Sequence, residues 1–126
     1  MYRNFNPNPH ASRVGDCTVR AICGVTDRDW IDVYMSLAIQ GLLLGDMPNA
    51  NSVWGAYLRS LGFRRHVIPD TCPACYTVAD FCRDHPEGKY VLALNGHVIC
   101  AKGGDWFDSW DSANEIPIYY WCKEND

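Results

Sequence analysis

A cysteine stands at the start of an apolar, helix-forming stretch of this chain. The segment Gly15-Asp16-Cys17-Thr18-Val19-Arg20-Ala21-Ile22-Cys23 begins with small and polar residues and continues with apolar ones. A thiol in the first turn of a helix faces unpaired backbone N–H groups and the positive end of the helix dipole, and both favour the thiolate. The position therefore predicts a nucleophile at Cys17, with Asp16 as the N-cap. The alternative is an ordinary buried thiol, because free cysteine packs as a small hydrophobe.

The chain contains four histidines that could serve as a base for this thiol: His10, His66, His85 and His97. His97 is favoured because the turn formers Asn95-Gly96 precede it and the β-branched pair Val98-Ile99 follows it, which predicts an imidazole at the start of a rigid strand. Asp108 lies in the next predicted strand, and a carboxylate beside the imidazole would fix its tautomer and stabilise the imidazolium. Cys17, His97 and Asp108 together predict a Cys-His-Asp relay. Taken alone, His97 can cap a strand and Asp108 can lie in solvent.

A second group of potential ligands lies in the middle of the chain. Cys72-Pro73-Ala74-Cys75 precedes Cys82 and His85, and a C-x2-C pair followed by C-x2-H can close a tetrahedral zinc site. The ordinary explanation is that Cys82 packs beside Phe81 and that the C-x-x-C cysteines are loop residues. We favour that explanation and expect no cofactor, so structural zinc stays a lesser alternative. A redox pair of the thioredoxin type is less favoured still, because no βαβ unit surrounds the motif.

Composition limits the class of protein. The 126 residues, 48% of them hydrophobic, correspond to one domain with a buried core. The formal net charge of −4 argues against a nucleic-acid partner, since such proteins present a basic face. No apolar run approaches the roughly 18 residues of a membrane span, and the N-terminal stretch lacks the apolar core of a signal peptide. Seven cysteines without such a signal favour reduced thiols. We therefore expect a cytoplasmic protein without a membrane partner.

The elements that must position these residues follow from periodicity and capping. Residues 1–14, with Asn6-Pro7-Asn8-Pro9, are predicted to form an ordered arm or loop. Helices are predicted over 16–24, over 26–44 with a capping-box-like start, and over 49–61 with a stop at Gly62. A short helix capped by Thr77 ends before His85-Pro86.

The remaining segments are typical of strands. They are predicted over residues 63–68, 89–94, 97–101, 106–110 and 116–121, with a tight turn at Lys102-Gly103-Gly104-Asp105. Helices followed by a strand meander indicate an α+β fold in which N-terminal helices pack on a C-terminal antiparallel sheet.

The order of these features resembles that of papain-like cysteine peptidases. Within that superfamily the chain resembles the compact, single-domain, phage- and bacterium-associated proteins of mostly unassigned function. The resemblance spans about 16–110, so a papain-like core is expected. It is carried by four segments: Asp16-Cys17-Thr18-Val19-Arg20-Ala21, Met47-Pro48-Asn49, Gly96-His97-Val98 and Asp108-Ser109-Trp110-Asp111.

The resemblance implies roles for individual residues. Cys17 becomes the nucleophile, His97 the base and Asp108 the orienting acid, with Asp111 as the fallback acid because a one-residue change of register reverses the face of a strand. The family's oxyanion glutamine is replaced by Ala11. The backbone N–H of Cys17 can supply one donor, and the second is expected from the arm, with the candidates Asn8 and His10.

The function implied is that of a cysteine-dependent hydrolase acting on an amide or isopeptide bond of a peptide or protein substrate. Aromatic residues close to the site in sequence are expected to fill the core and to form one wall of a cleft: Trp106, Phe107, Trp110, Tyr119, Tyr120 and Trp121. Two alternatives stay open. One is a catalytically weak or inactive binding protein of phage or bacterial origin, suggested by the missing glutamine. The other is a zinc-stabilised interaction module.

Overall fold

The computed structural model describes residues 1–123. This part of the chain forms four helices and six strands. In order they are β1 (Tyr2–Asn4), α1 (Cys17–Thr26), α2 (Trp30–Leu44), α3 (Asn51–Ser60), β2 (Phe63–Val67), α4 (Val78–Asp84), β3 (Lys89–Leu94), β4 (His97–Lys102), β5 (Asp105–Asp108) and β6 (Tyr119–Lys123).

The strands form one sheet in the order β1-β5-β4-β3-β6-β2. All neighbouring strands are antiparallel except β1 and β5, which run parallel. Helix α1 packs on β4 in the middle of this sheet, α2 packs against α1 and α3, and α3 contacts the edge strand β2. The predicted α+β fold, with N-terminal helices on an antiparallel sheet, is confirmed.

The two central strands are apolar on both faces, and each face has its own helical cover. Val91, Ala93, Val98 and Cys100 point towards the three N-terminal helices. Their alternate neighbours contact α4 on the other side, in a cluster formed by Val78, Phe81, Cys82, Leu92, Leu94, Ile99 and Ala101. Because successive side chains of a strand point to opposite faces, a continuous apolar run such as that of β3 fits a strand covered on both sides.

Close approach of α1 to the sheet depends on Gly24. A Cβ atom at this position would lie 2.6 Å from the sulfur of Cys100 on β4. Any other residue would therefore force the helix away from the strand.

The β4–β5 connection is the predicted two-residue turn, in which Gly103 and Gly104 have φ angles of 61° and 81° that favour glycine.

The helix ends differ in detail from the predictions. Asp16 occupies the N-cap of α1, but its side chain makes no capping hydrogen bond. Helix α2 begins later than predicted because Asp29 itself is the N-cap and accepts from the backbone N–H of Asp32. At α3 the N-cap is Ala50, not a polar residue. Thr77 forms the predicted cap of α4, in a reciprocal capping box with Asp80.

The N-terminal arm contains a strand that was not predicted. Residues Tyr2–Asn4 extend the sheet beside β5. The arm is tied further to the last residue of β5, because the Phe5 N–H and the Tyr2 hydroxyl both donate to the backbone oxygen of Asp108, over 2.9 Å and 3.2 Å. The arm therefore completes one edge of the sheet.

Helix α2 buries only a narrow face. Val33, Leu37 and Gly41 are buried, and Leu37 is 1% exposed. Large apolar side chains elsewhere on the helix face solvent, and we call the following set the outer face of α2: Ile31, Met35, Ile39, Leu42 and Leu43. Among residues 1–123, no helix has both the length and the apolar character needed to cross a membrane.

Candidate active site

Cys17 is the first residue of α1 and is half-buried. The first N–H groups of a helix have no partner within the helix, so the thiol lies at the positive end of α1, as its position in the sequence predicts. Asp16 is held in another way than by capping. One carboxylate oxygen accepts from Arg20 over 2.8 Å and the other from the indole N–H of Trp30 over 2.9 Å. Asp16 therefore fixes the start of α1 through side-chain contacts.

His97 is the first residue of β4 and Asp108 the last of β5, so both lie at the same end of the sheet. The β4–β5 register pairs Cys100 with Phe107. Continued by one residue, this register sets Ile99 opposite Asp108, which makes His97 the diagonal neighbour of the acid. The imidazole Nε2 lies 2.8 Å from Oδ2 of Asp108. The two side chains predicted as base and acid are thus in direct contact.

The carboxylate of Asp111, the fallback acid, binds groups other than the His97 ring. Its carboxylate accepts from the indole N–H of Trp106 over 2.9 Å and from the backbone N–H of Ala113 over 3.1 Å. It is solvent-exposed, whereas Asp108 is completely buried. Near this segment, the indole of Trp110 stacks on the His97 ring with centroids 5.2 Å apart and covers one face of the imidazole.

The His97 ring is also near enough to the Cys17 thiol for hydrogen bonding between them to shift the pKa of both groups. Since Nε2 is bound to Asp108, Nδ1 is the ring nitrogen left for the sulfur. Hydrogen bonding from the Val98 backbone N–H and from the Thr18 side chain also lowers the pKa of this thiol. The imidazole therefore lies between the thiol, whose pKa it lowers, and the carboxylate that it contacts directly.

The electrostatics of these three side chains favour a charged pair. Burial raises the pKa of the Cys17 thiol, but the hydrogen bonds from His97 and Val98 and the positive charge of the imidazolium outweigh it and lower the pKa below the ordinary value of 9.0. The hydrogen bonds to Asp108 and then to Cys17 raise the pKa of His97 from 6.5 to about 9, against the effect of burial. Both shifts favour thiolate and imidazolium over the neutral pair.

Three other thiols have pKa values that are raised instead of lowered. Burial raises the pKa of Cys23 to about 12 and that of Cys82 to about 11. The raised pKa of Cys100, at about 12, has the same principal cause. Cys17 is thus distinguished from these three cysteines by its partners and not by lower burial alone.

Arg20 is a component of the site that the sequence reasoning did not single out. It is 6% exposed and lies one turn after Cys17 on α1. Its guanidinium donates to Asp16 over 2.8 Å and to Oδ1 of Asp108 over 3.2 Å. The Ser109 backbone N–H donates to the same Oδ1 over 2.7 Å. A charged residue on the apolar, buried face of a helix was the available signal, because such a residue is rarely buried without a partner.

Cys17 and His97 open onto a cavity of about 370 Å³ between the N-terminal helices and the β3–β4 turn. Its lining consists of Gly15, Cys17, Thr18, Asn49, Asn51, Trp54, Ala93, Leu94, Asn95, Gly96, His97, Val98, Ile118 and Tyr119. None of these described residues is an aspartate, glutamate, lysine or arginine. The cavity wall therefore combines apolar side chains with the amide groups of three asparagines.

Neither predicted oxyanion donor is among the described residues that line this cavity. The side-chain oxygen of Asn8 accepts from the His10 backbone N–H over 2.9 Å, which turns that end of the amide towards the arm itself. His10 is exposed. The backbone N–H of Cys17 is the donor that the geometry of a helix start provides.

A second cavity of about 370 Å³ adjoins the first and shares Gly15, Thr18 and Asn49 with it. Its other walls are mostly apolar and come from the arm, α1, α2 and the loop before α3: Val14, Asp16, Val19, Trp30, Tyr34, Leu37, Met47 and Pro48. The single carboxylate among them, Asp16, is bound to Arg20 and Trp30. This space suits an uncharged, apolar group.

The four residues considered for zinc are not gathered into one site. Among residues 1–123, no group of three or more histidine, cysteine, aspartate or glutamate side chains is arranged to hold a metal ion. Cys82 is buried in the core beneath α4. His85 directs Nδ1 at the backbone oxygen of Phe81 over 2.9 Å and stacks on the Phe81 ring. The zinc-stabilised alternative is therefore wrong in its ligand set, because packing holds two of the four residues elsewhere.

Comparison of the chain with protein-family models, with curated proteins and with solved structures gives no match.

Proposed function

We propose that this protein is a cysteine-dependent hydrolase of the papain-like type that cleaves an amide or isopeptide bond through Cys17, His97 and Asp108. The observation that carries the proposal is the 2.8 Å contact of His97 Nε2 with the buried Asp108 carboxylate, together with the position of Cys17 and His97 on the wall of one cavity. A nucleophile, a base within hydrogen-bond reach and a third group that orients the base are the arrangement used in covalent catalysis.

The reaction begins with the Cys17 thiolate and the His97 imidazolium. The sulfur bonds to the carbonyl carbon of the substrate, and the carbonyl electrons move to its oxygen. When this intermediate collapses, the amine leaves with the proton of the imidazolium, and a thioester remains on Cys17. A water molecule then attacks the thioester and gives its proton to His97. Breaking of the carbon–sulfur bond releases a carboxylic acid and restores the thiolate.

Asp108 and Arg20 support these steps without touching the substrate. Asp108 holds the ring so that Nδ1 faces the sulfur, and its negative charge stabilises the imidazolium. Arg20 holds the carboxylate from the opposite side. The backbone N–H of Cys17 donates a hydrogen bond to the oxyanion. Removal of one oxyanion donor from other enzymes costs about 2.7–4 kcal/mol, so an enzyme with this one donor would be slow.

The cavity indicates the chemical class of the substrate. Apart from the Cys17–His97 pair, no described lining residue is an aspartate, glutamate, lysine or arginine, so the cavity suits a neutral segment of peptide or protein. The amide groups of Asn49, Asn51 and Asn95 can hydrogen-bond a substrate main chain. The adjoining apolar cavity extends the surface on the α2 side.

The proposal can be tested with a small acyl donor, because the natural substrate is not needed to form a thioester. p-Nitrophenyl acetate should acetylate Cys17 in a burst, seen as released p-nitrophenol and as an acetylated Cys17 peptide by mass spectrometry. His97→Ala should reduce the acetylation rate at neutral pH by about two orders of magnitude or more. Cys122→Ala, which removes another half-buried thiol, is the matched control and should leave the burst unchanged. Equal acetylation rates in the parent protein and in His97→Ala would reject the proposal.

A binding role without catalysis is the second candidate. It is favoured by one observation, that neither Asn8 nor His10 lines the cavity at Cys17. In this case the cavity holds a peptide that is never cleaved. Cys17→Ala should then retain the biological effect of the protein, whereas the hydrolase requires that the effect be lost while the fold is preserved.

A further inference from the structure

Two cysteines far from Cys17 in the chain lie side by side on the surface. Cys72 and Cys75 belong to the loop that joins β2 to α4, and both are exposed. Their sulfur atoms are 2.8 Å apart. This distance is roughly 0.8 Å longer than a disulfide bond. The remaining five cysteines are buried or half-buried, so this pair is the most accessible thiol chemistry in residues 1–123.

Neighbouring side chains hold the loop in the conformation that brings the sulfurs together. The Thr71 hydroxyl donates to the backbone oxygen of Ala74 over 2.6 Å and so spans the motif. The Asp70 carboxylate accepts from the Cys72 backbone N–H over 3.0 Å. Bond formation between the sulfurs therefore requires little ordering of the backbone, and the entropic cost of closing the ring is mostly met in advance.

We propose that Cys72 and Cys75 form a second chemical site, a vicinal dithiol that reacts with small disulfides and closes to an intramolecular disulfide. The site is independent of Cys17 and of the proposed hydrolase. Since Cys82 and His85 are held elsewhere by packing, these two thiols have each other as partners and are not part of a larger metal-binding group among the described residues.

The reaction proceeds in two exchange steps. One protein thiolate attacks a sulfur of a disulfide R–S–S–R, forms a mixed disulfide and expels one thiolate R–S⁻. The second protein thiolate then attacks the protein sulfur of the mixed disulfide and expels the other R–S⁻. Two electrons pass from the dithiol to the small disulfide, and the two protons lost by the cysteines are taken up by the two R–S⁻ groups to give two molecules of R–SH.

The surroundings assign the order of attack. The hydrogen bond with Cys75 is the main cause that raises the pKa of Cys72, to about 11, and the nearby Asp70 charge acts in the same direction. This raised pKa disfavours the thiolate form of Cys72. Cys75 is the first attacking thiol, and Cys72 resolves the mixed disulfide.

Oxidised glutathione is a suitable probe, used on the Cys17→Ala protein so that the proposed nucleophile cannot react. After incubation, quenching with an alkylating agent and digestion, mass spectrometry should find a disulfide joining Cys72 to Cys75. Cys23, Cys82 and Cys100 should stay largely reduced, because these buried thiols should react with oxidised glutathione at least about tenfold more slowly than the exposed pair. The Cys72→Ser variant should accumulate a glutathione mixed disulfide on Cys75. In the Cys75→Ser variant, Cys72 should form its mixed disulfide with glutathione more slowly than Cys75 does in Cys72→Ser.

A variant of the loop separates preorganisation from simple exposure. Thr71→Val removes the hydrogen bond across the motif and should slow ring closure several-fold, while it leaves formation of the first mixed disulfide unchanged. The proposal is overturned if both thiols of the Cys17→Ala protein stop at glutathione mixed disulfides, or if they react no faster than Cys23. Because the test protein lacks Cys17, neither result bears on the hydrolase.

Discussion

The Nε2 atom of His97 lies 2.8 Å from Oδ2 of Asp108, although the acid belongs to a different strand and is fully buried. The Arg20 guanidinium donates to the other oxygen, Oδ1, of the same carboxylate. One buried acid thus joins the imidazole at the cavity to a cation inside the protein.

Replacement of Asp108 by asparagine should remove the principal cause of the raised His97 pKa. The imidazolium then loses its counter-charge, and the pKa should fall from about 9 towards 6.5. With less imidazolium beside it, the pKa of Cys17 should rise. Iodoacetamide alkylation of Cys17 near pH 6.5 should slow by about tenfold or more. Asp111→Asn is the control, and an equal effect of both variants would contradict the assignment of Asp108.

Arg20→Met should destabilise the protein strongly, because it leaves two buried carboxylates with one partner fewer. Removing one member of a buried ion pair typically costs about 3–5 kcal/mol of unfolding free energy. Arg83→Ala removes an exposed arginine that also contacts two carboxylates, Asp80 and Asp84. Exposed pairs contribute at most about 1 kcal/mol. Urea unfolding of both variants measures the difference, and similar losses would show that Arg20 is not required as a bridge.

The stability of the Cys17→Ala protein should decrease as pH rises above about 6.5. Asp108 raises the pKa of His97 in the folded state, so the folded protein binds a proton that the unfolded chain releases above 6.5. This contribution is complete below pH 6.5 and is lost as pH rises through the folded pKa, which is about 9 when Cys17 is present. The Cys17→Ala background removes the opposing titration of the thiol.

The measurement is the free energy of unfolding at several pH values between about 5 and 9, compared with the double variant that also carries His97→Ala. The decrease should disappear in the double variant. An unchanged slope would mean that another group is responsible.

Truncation on the two sides of α2 should have different costs. Leu37→Ala removes a side chain that is 1% exposed and should cost about 2–5 kcal/mol of unfolding free energy. Leu42→Ala removes one that is 81% exposed and should change it by about 0.5 kcal/mol or less. The two substitutions are chemically identical, so the difference reports burial alone. A loss of more than about 2 kcal/mol for Leu42→Ala would mean that the outer face of α2 is covered in solution.

The arrangement of Cys17, His97 and Asp108 could be predicted because local signals determine where each one lies. A helix start, a strand start and a two-glycine turn set their positions along the chain, and the β4–β5 register makes His97 the diagonal neighbour of Asp108. Strand β1 could not be predicted, because Tyr2-Arg3-Asn4 has no alternation of its own and pairs with a strand from the far end of the chain. Arg20 was missed for a similar reason, since Asp108 supplies its second partner across 88 residues.

The cap of α1 shows the same limit. Asp16 is a residue type that commonly accepts from helix N–H groups, which is why capping was expected. Its carboxylate instead binds Arg20 and Trp30. A charged, buried partner one turn later competes successfully with the local backbone, and the capping pattern alone does not show that Arg20 is buried.

The outer face of α2 has a practical consequence for the unfolding experiments. Dyes that fluoresce on apolar surfaces report unfolding only when the folded state offers them no binding site. Here Ile31, Met35 and Leu42 give the native protein such a surface. Dye-based melting curves should therefore begin with a bright baseline and understate the transition, so far-ultraviolet circular dichroism is the appropriate reporter.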